Sequence, residues 1–346
     1  MLDDEIGNRE AAADEYSSVA RVFASHGFLA AAQKILEQAV ANYRISGNDE
    51  SASIALCNLG DVLFRRGDLK AAQDKYDESM GIVRNTGDSA AQGRDLVGTS
   101  HVLFMQGDLS GAMKNLDGAA PLAQKSGDKV LAGMISSGKG DIFFAGGELP
   151  EARKAYEVAV GSFQDAGDKR NTTVAQVALA RLTIEEGQPA NAEVPLRQAI
   201  EEFVAEKNPA GETNARAALA SALLATGLAP AEAEAQKEMN AAIPYVSSLQ
   251  DPRPRLAITI TAARVATAVT GDPAQPRKLL DGALNDATRD GLVPYQFEAR
   301  YALAEILMKV GKSGQGRFQL AALEKDATAK GFLLIARKSH AAAGRN

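Results

Sequence analysis

The 346-residue sequence predicts an all-α solenoid of about eight helical hairpins. The first observation is a glycine that returns every forty residues. Gly27, Gly67, Gly107, Gly147, Gly187 and Gly227 are evenly spaced, and after a four-residue slip the series resumes at Gly271 and Gly311. The second is a series halfway between, at Gly7, Gly47, Gly87, Gly127 and Gly167, resuming at Gly291 and Gly331. Self-similarity at a fixed long period marks an array in which each unit packs on its neighbours. The third is composition. Apolar residues make up 45%, aromatics only 5%, and Trp is absent. Such an alanine-rich chain suits closely packed helices better than sheets.

One period, Ser51 to Asp88, shows how the elements arise. Leu56, Leu59, Leu63 and Phe64 recur at three- and four-residue spacing, which gives a helix with one apolar stripe. Arg65-Arg66-Gly67-Asp68 ends it, with cations in the last turn and Gly where a left-handed residue is favoured. Asp68 caps a second helix whose apolar side holds Leu69, Ala72, Tyr76 and Met80. Asn85-Thr86-Gly87-Asp88 stops that helix in the same way. The unit is helix, tight turn, helix, loop.

These residues resemble the tetratricopeptide repeat, whose pattern is W-x₂-L-G-x₂-Y, then A-x₃-F, then P. Here Leu56-x₂-Leu59-Gly60-x₂-Leu63 is followed by Ala72-x₃-Tyr76. Repeat one offers Tyr16-x₂-Val19-Ala20-x₂-Phe23 and Ala32-x₃-Leu36. Repeat four offers Gly140, Phe143 and Ala152-x₃-Tyr156; repeat five, Leu179-Ala180 and Ala192-x₃-Leu196; repeat eight, Leu303-Ala304-x₂-Leu307. The period is forty rather than the common thirty-four, and Gly-Asp or Gly-Asn replaces the final Pro. Forty-residue versions resemble those of large bacterial regulators, including signal-transducing ATPases and serine/threonine kinases with C-terminal arrays. The resemblance implies a right-handed superhelical solenoid, with first helices lining a concave face.

The regular pattern covers 1–207 of a single 1–346 array, and 208–346 holds variant repeats. Ala241-Ala242-Ile243-Pro244 and Asp251-Pro252-Arg253-Pro254 predict a longer loop or kink near 243–255, because Pro ends helices. Pro195 is expected to bend the second helix of repeat five. A short amphipathic helix over about 332–342 caps the last repeat, which otherwise exposes its apolar face. Gly7-Asn8 falls on the inter-repeat series, so the chain is expected to begin at the end of a repeat and to be a fragment of a longer protein.

Chemistry is sparse. Gly133-Met-Ile-Ser-Ser-Gly138-Lys139-Gly140 resembles a phosphate-binding loop, but Gly140 replaces the metal-binding hydroxyl and no strand precedes it. Gly311-Lys-Ser-Gly314-Gln-Gly316 falls in a helix–helix turn. His26, His101 and His340 are scattered, without metal-ligand spacing. Cys57 has no His at helical spacing and reads as a buried small residue. No cofactor, metal or catalytic set is expected, and the chain reads as a non-enzyme. Net charge is −6 with no basic stripe, which speaks against nucleic-acid binding. No apolar run is long enough for a membrane helix. The single Cys fits a reducing compartment. Cytoplasmic location is the expectation, with an extracytoplasmic one open if a membrane segment lies upstream.

The resemblance implies a binding groove. In such arrays the residue after the small Gly/Ala position points into the concave face, which selects Arg21, Asp61, His101, Asp141, Arg181, Ser221, Val265 and Glu305. Thr99 and Lys139 stand where Leu59 and Leu179 stand in their own repeats, and signify either a local wobble in register or a polar notch beside Asp141 and His101. Phe64, Phe104 and Phe144 recur at one position and read as core. The expected function is a protein-interaction scaffold within a larger bacterial signalling or transcription-regulatory protein, binding a peptide or partner in the groove. The alternative is a sensor for a peptide or small effector that controls an upstream kinase or DNA-binding domain. A self-assembling structural array ranks third.

Overall fold

In a computed structural model, described from residue 2 to residue 344, the glycine series become turns. Fourteen of these glycines have positive φ, between 67° and 83°, a region open to Gly without steric cost. They separate eight antiparallel hairpins. The first four are α1 (Leu2–Ser25) with α2 (Leu29–Ser46), α3 (Asp49–Arg65) with α4 (Leu69–Thr86), α5 (Ser89–Gln106) with α6 (Leu109–Ser126), and α7 (Lys129–Gly146) with α8 (Leu149–Asp165). The next four are α9 (Lys169–Glu185) with α10 (Pro189–Ala205), α11 (Pro209–Ala225) with α12 (Ala229–Ala242), α13 (Pro252–Thr270) with α14 (Ala274–Arg289), and α15 (Val293–Lys309) with α16 (Ser313–Ala329). A final helix, α17 (Leu333–Ala343), packs on α16. The fold is a right-handed α-solenoid.

Capping explains the sharp starts. Asn48, Asp68, Asp88, Asp108, Asp128, Asp168, Asn208 and Asp251 each accept a backbone N–H from the first turn that follows. Small residues explain the close packing. Ala32, Ala72, Ala112, Ala152 and Ala192 occupy one repeat position, and all are fully buried. Four residues on, Leu36, Tyr76, Leu116, Tyr156 and Leu196 fill the space between neighbouring first helices and are equally buried.

One expectation changes, and two others find their place in helices. Gly7-Asn8 is not a turn: α1 runs unbroken through it. Pro195 lies within α10, which continues as one helix to Ala205. The phosphate-loop look-alike lies wholly on α7, where its amides are spent on helical bonds. Between α12 and α13 a 3₁₀ turn, Ile243–Tyr245, leads into a short loop that ends at the Asp251 cap.

At position 207 the inter-repeat series lacks its glycine, and Lys207 takes φ 52° instead. A left-handed L-residue costs about 1–2 kcal/mol. Part of that gain is lost to glycine's greater freedom in the unfolded chain. Lys207→Gly is expected to stabilise the protein by about 0.5–1 kcal/mol, read as a higher denaturant midpoint at unchanged slope. Loss of stability would show that the Lys side chain makes a compensating contact.

The superhelix is wound tightly enough for its second turn to rest on its first. Pro252 lies against Gly67, and Val293 and the Lys330 stem lie against Gly107. The Ala30 amide donates to Gln250 Oε1 at 2.8 Å. Phe332 packs between Phe104 and Phe297, with ring centroids 6.0 and 5.3 Å away. Arg337 Nη2 donates to the carbonyl of Gly147 at 2.6 Å, 190 positions back along the chain. Lys338 Nζ reaches Glu185 at 2.7 Å. Gly67, Gly107 and Gly147 thus do two things: they turn the chain, and their missing side chains let the next turn approach.

Candidate binding groove

The first helices line the inside of this coil, and the sequence ladder maps onto it unevenly. Asp61 lies on α3 and accepts the Tyr76 hydroxyl at 2.6 Å. Asp141 lies on α7 and accepts the Tyr156 hydroxyl at 2.7 Å. The pairing follows a rule visible along the chain. Gly60-Asp61 and Gly140-Asp141 go with Tyr76 and Tyr156, whereas Ala20-Arg21, Ser100-His101 and Ala180-Arg181 go with Leu36, Leu116 and Leu196. The glycine makes room for the larger ring. A Cβ on Gly60 would lie 2.6 Å from Tyr76 Cε1, and one on Gly140 would lie 2.5 Å from Tyr156 Cε1.

The second turn supplies the opposite wall. Arg181 on α9 pairs with Glu298 on α15 at 3.7 Å, across the groove. Arg264 Nε donates to Glu305 at 3.0 Å. Arg253 is held by Asp251 at 2.6 Å and stands over the Phe64 ring, 4.4 Å from its centroid. On the other side Phe64 stacks on His101 at 5.8 Å. Burial first, and the Arg253 charge second, push His101 down to about 4, so its imidazole is neutral at pH 7. Burial also raises the Asp61 and Asp141 carboxyls, against the lowering effect of their tyrosine hydroxyls. Burial and the neighbouring Arg253 and Glu298 charges leave the Tyr295 phenol raised to about 12. Arg65 is pulled down by burial and donates to the Ala24 carbonyl at 2.8 Å.

Of the predicted residues, His101, Asp141 and Glu305 are half-buried on α5, α7 and α15, and Arg21, Asp61 and Arg181 are exposed on α1, α3 and α9. Ser221 donates back to the Ala217 carbonyl of its own helix. Val265 is fully buried in the packing, and Arg264 takes the groove position in its place. The loop before α13 moves the small residue to Ala263, so the slip here is three residues rather than four. Thr99 and Lys139 are in register and face the preceding second helix. Thr99 accepts from Gln73, and Lys139 Nζ reaches Asp117 at 2.6 Å. Lys139 therefore forms no notch with His101 and Asp141. Sequence reasoning missed Arg253, Arg264, Tyr295 and Glu298, which come from the second turn. Phe64 and Phe104, read as core, are packed in apolar clusters, and those clusters include residues of the second turn.

The charge pattern is asymmetric. Arg181, Arg253 and Arg264 each have a carboxylate partner. Among the described residues, Asp61 and Asp141 have no cation within ion-pair distance. None of the described residues form a group of His, Cys, Asp and Glu fit for a metal ion, and no described helix is long and apolar enough to cross a membrane.

A tetratricopeptide-repeat family model matches residues 9–85. Among solved structures, a Rap protein complexed with competence and sporulation factor superposes with a TM-score of 0.64 at 11% identity, over 98% of this chain and 97% of that one. NprR in complex with its cognate peptide NprX gives 0.61 at 14% identity, over 97% and 96%. A signal transduction ATPase with a tetratricopeptide repeat sensor, from Pyrococcus horikoshii, gives 0.50 at 20% identity over 80% of this chain. The chain spans only 43% of that protein's length. No curated protein matches the chain by sequence.

Proposed function

We propose, from the premise that the chain is a tetratricopeptide-repeat protein, that it is a non-catalytic interaction module whose inner groove binds a peptide or an extended segment of a partner. The observation that carries this reading is the pair of carboxylates, Asp61 and Asp141. Each is oriented by a tyrosine hydroxyl and forms no ion pair; Arg65 and Arg94 near Asp61, and Arg181 near Asp141, act on them only from a distance, and Arg94 and Arg181 are paired with other carboxylates. A ligand with Lys or Arg side chains would complete both. Neutral His101, on the intervening repeat, stacks on the buried Phe64 ring and adds an uncharged surface between the two carboxylates. The likeness in fold to NprR, solved in complex with its cognate peptide, supports a peptide as the ligand.

The test is a peptide-display selection against the full chain, followed by Kd measurement of the selected peptides. Selected peptides are expected to carry basic residues. Asp61→Asn and Asp141→Asn are each expected to weaken binding about tenfold, the order of a lost charge-assisted hydrogen bond. Equal binding by the Asn variants would place recognition elsewhere.

A second reading is a sensor that controls another domain of a larger bacterial regulator in the cytoplasm. It is favoured by the groove being walled by two superhelical turns, so that a ligand between them would alter their contact. In this reading ligand changes the hydrodynamic radius; in the plain scaffold reading the radius stays constant.

A further inference from the structure

Beneath the groove lies a carboxylate that the binding reading does not use. Asp95 is on α5, is 1% exposed, and neither of its oxygens has a hydrogen-bond partner. Buried carboxylates are normally paired or fully hydrogen-bonded, because the ionised form loses its hydration. The groups around Asp95 offer only part of that compensation, the Ser79 hydroxyl and the Cys57 thiol lying close without a well-formed hydrogen bond. From α3 come the buried Cys57 thiol and the Asp61 carboxylate; from α4, the Ser79 hydroxyl, Tyr76 and Asp77. Ser79 Oγ is committed to the Ser53 carbonyl at 3.0 Å. Arg94 immediately precedes it on the same helix, but its guanidinium is drawn to the α7 cap, Asp128, at 2.7 Å. The α6 side is apolar, with Leu116 and Ala119 in the cluster that holds Leu96 and Val97. The α15 side meets α5 at Phe104, toward the far end of the helix.

We propose that Asp95 is a pH-responsive latch at the junction of repeats two and three, closed when its carboxyl is protonated and opened locally when it ionises. Two acids share the neighbourhood; Arg65 and Arg94 lie near enough to favour the Asp61 charge, but no cation pairs with Asp95, so a negative charge added there works against packing. The shift agrees in direction. Burial first, and the Asp61 and Asp77 charges after it, raise the Asp95 carboxyl from 3.8 to about 7, against partial relief from Ser79 and Cys57. The folded state therefore prefers the protonated acid. Its advantage is whole below pH 3.8 and shrinks as pH rises toward 7, beyond which the full penalty stands. His101, held neutral, does not titrate in this window.

Cys57 is the chain's one cysteine, is buried, and abuts Asp95, so it reports local opening directly. The experiment is alkylation of the full chain by iodoacetamide between about pH 6 and pH 8, with each rate divided by that of a free thiol's ionised fraction. An opened Asp95 with an ordinary carboxyl predicts that the corrected rate rises about tenfold across this range. Asp95→Asn is expected to abolish the rise. Asp61→Asn, which keeps Asp95 in place, is expected to reduce it, and together with the wild-type profile it decides the matter if Asp95→Asn fails to fold. A flat wild-type profile, or parallel profiles for wild type and Asp95→Asn, would overturn the proposal. Neither depends on a groove ligand.

Discussion

Tyr76→Ala is expected to lower the unfolding free energy by about 3–5 kcal/mol, the range for emptying a large aromatic site in a close-packed interior. Tyr76 is among the largest fully buried side chains. Its ring is held between Gly60 on α3 and Gly98 on α5, so one side chain joins two successive repeats. Chemical denaturation followed by circular dichroism measures the loss. Tyr76→Phe keeps the ring and removes only the hydroxyl's bond to Asp61, and is expected to cost about 1 kcal/mol. Gly98→Ala brings a Cβ into the ring and is expected to cost about 1–3 kcal/mol by overpacking. That penalty should vanish in a Tyr76→Leu background, since Leu stands at this position in alternate repeats. Additive costs for Gly98→Ala and Tyr76→Leu would refute the clamp.

Phe332→Ala is expected to cost a further class of stability, about 3–5 kcal/mol, and to change shape as well. Phe332 is buried between Phe104 of the first turn and Phe297 of the second. Removing it weakens the contact between turns while leaving each hairpin intact. Small-angle scattering should show a larger radius of gyration, with helical content by circular dichroism unchanged. An unchanged radius alongside lost stability would confine Phe332 to capping the last repeat. Phe104→Ala attacks the same contact from the other side, and its cost should be strongly non-additive with that of Phe332→Ala.

The hairpins were legible because their rules are local. Gly at a left-handed turn, Asp or Asn at a cap and Ala at a close approach act within one repeat, and the period of forty repeats them until they are unmistakable. The groove was only half legible. Asp61 and Asp141 follow from position alone, because the small residue before each marks the inward face. Arg264 was lost to Val265 by one residue, since no glycine lies between Gly227 and Gly271 to mark where the register shifts. The second wall left no periodic trace at all. Arg337 finds Gly147 across 190 positions, and nothing in the spacing of either residue foretells it. The available hint was Phe64 and Phe104, two large rings set at the ends of first helices beside turns. A purely linear stack has little use for them there.

The contact between turns changes what kind of object the array is. A solenoid whose units touch only sequence neighbours behaves as a one-dimensional chain, and its end repeats can fray one at a time. Here a unit also has a neighbour one full turn away, so the hairpins form a helical lattice, a small rolled sheet with two directions of adjacency. Loss of α17 is then felt at Gly147 and Glu185 in the middle of the sequence, not only at α16. Disturbance spreads around the coil as well as along it, and α17 locks repeats that lie far back in the sequence.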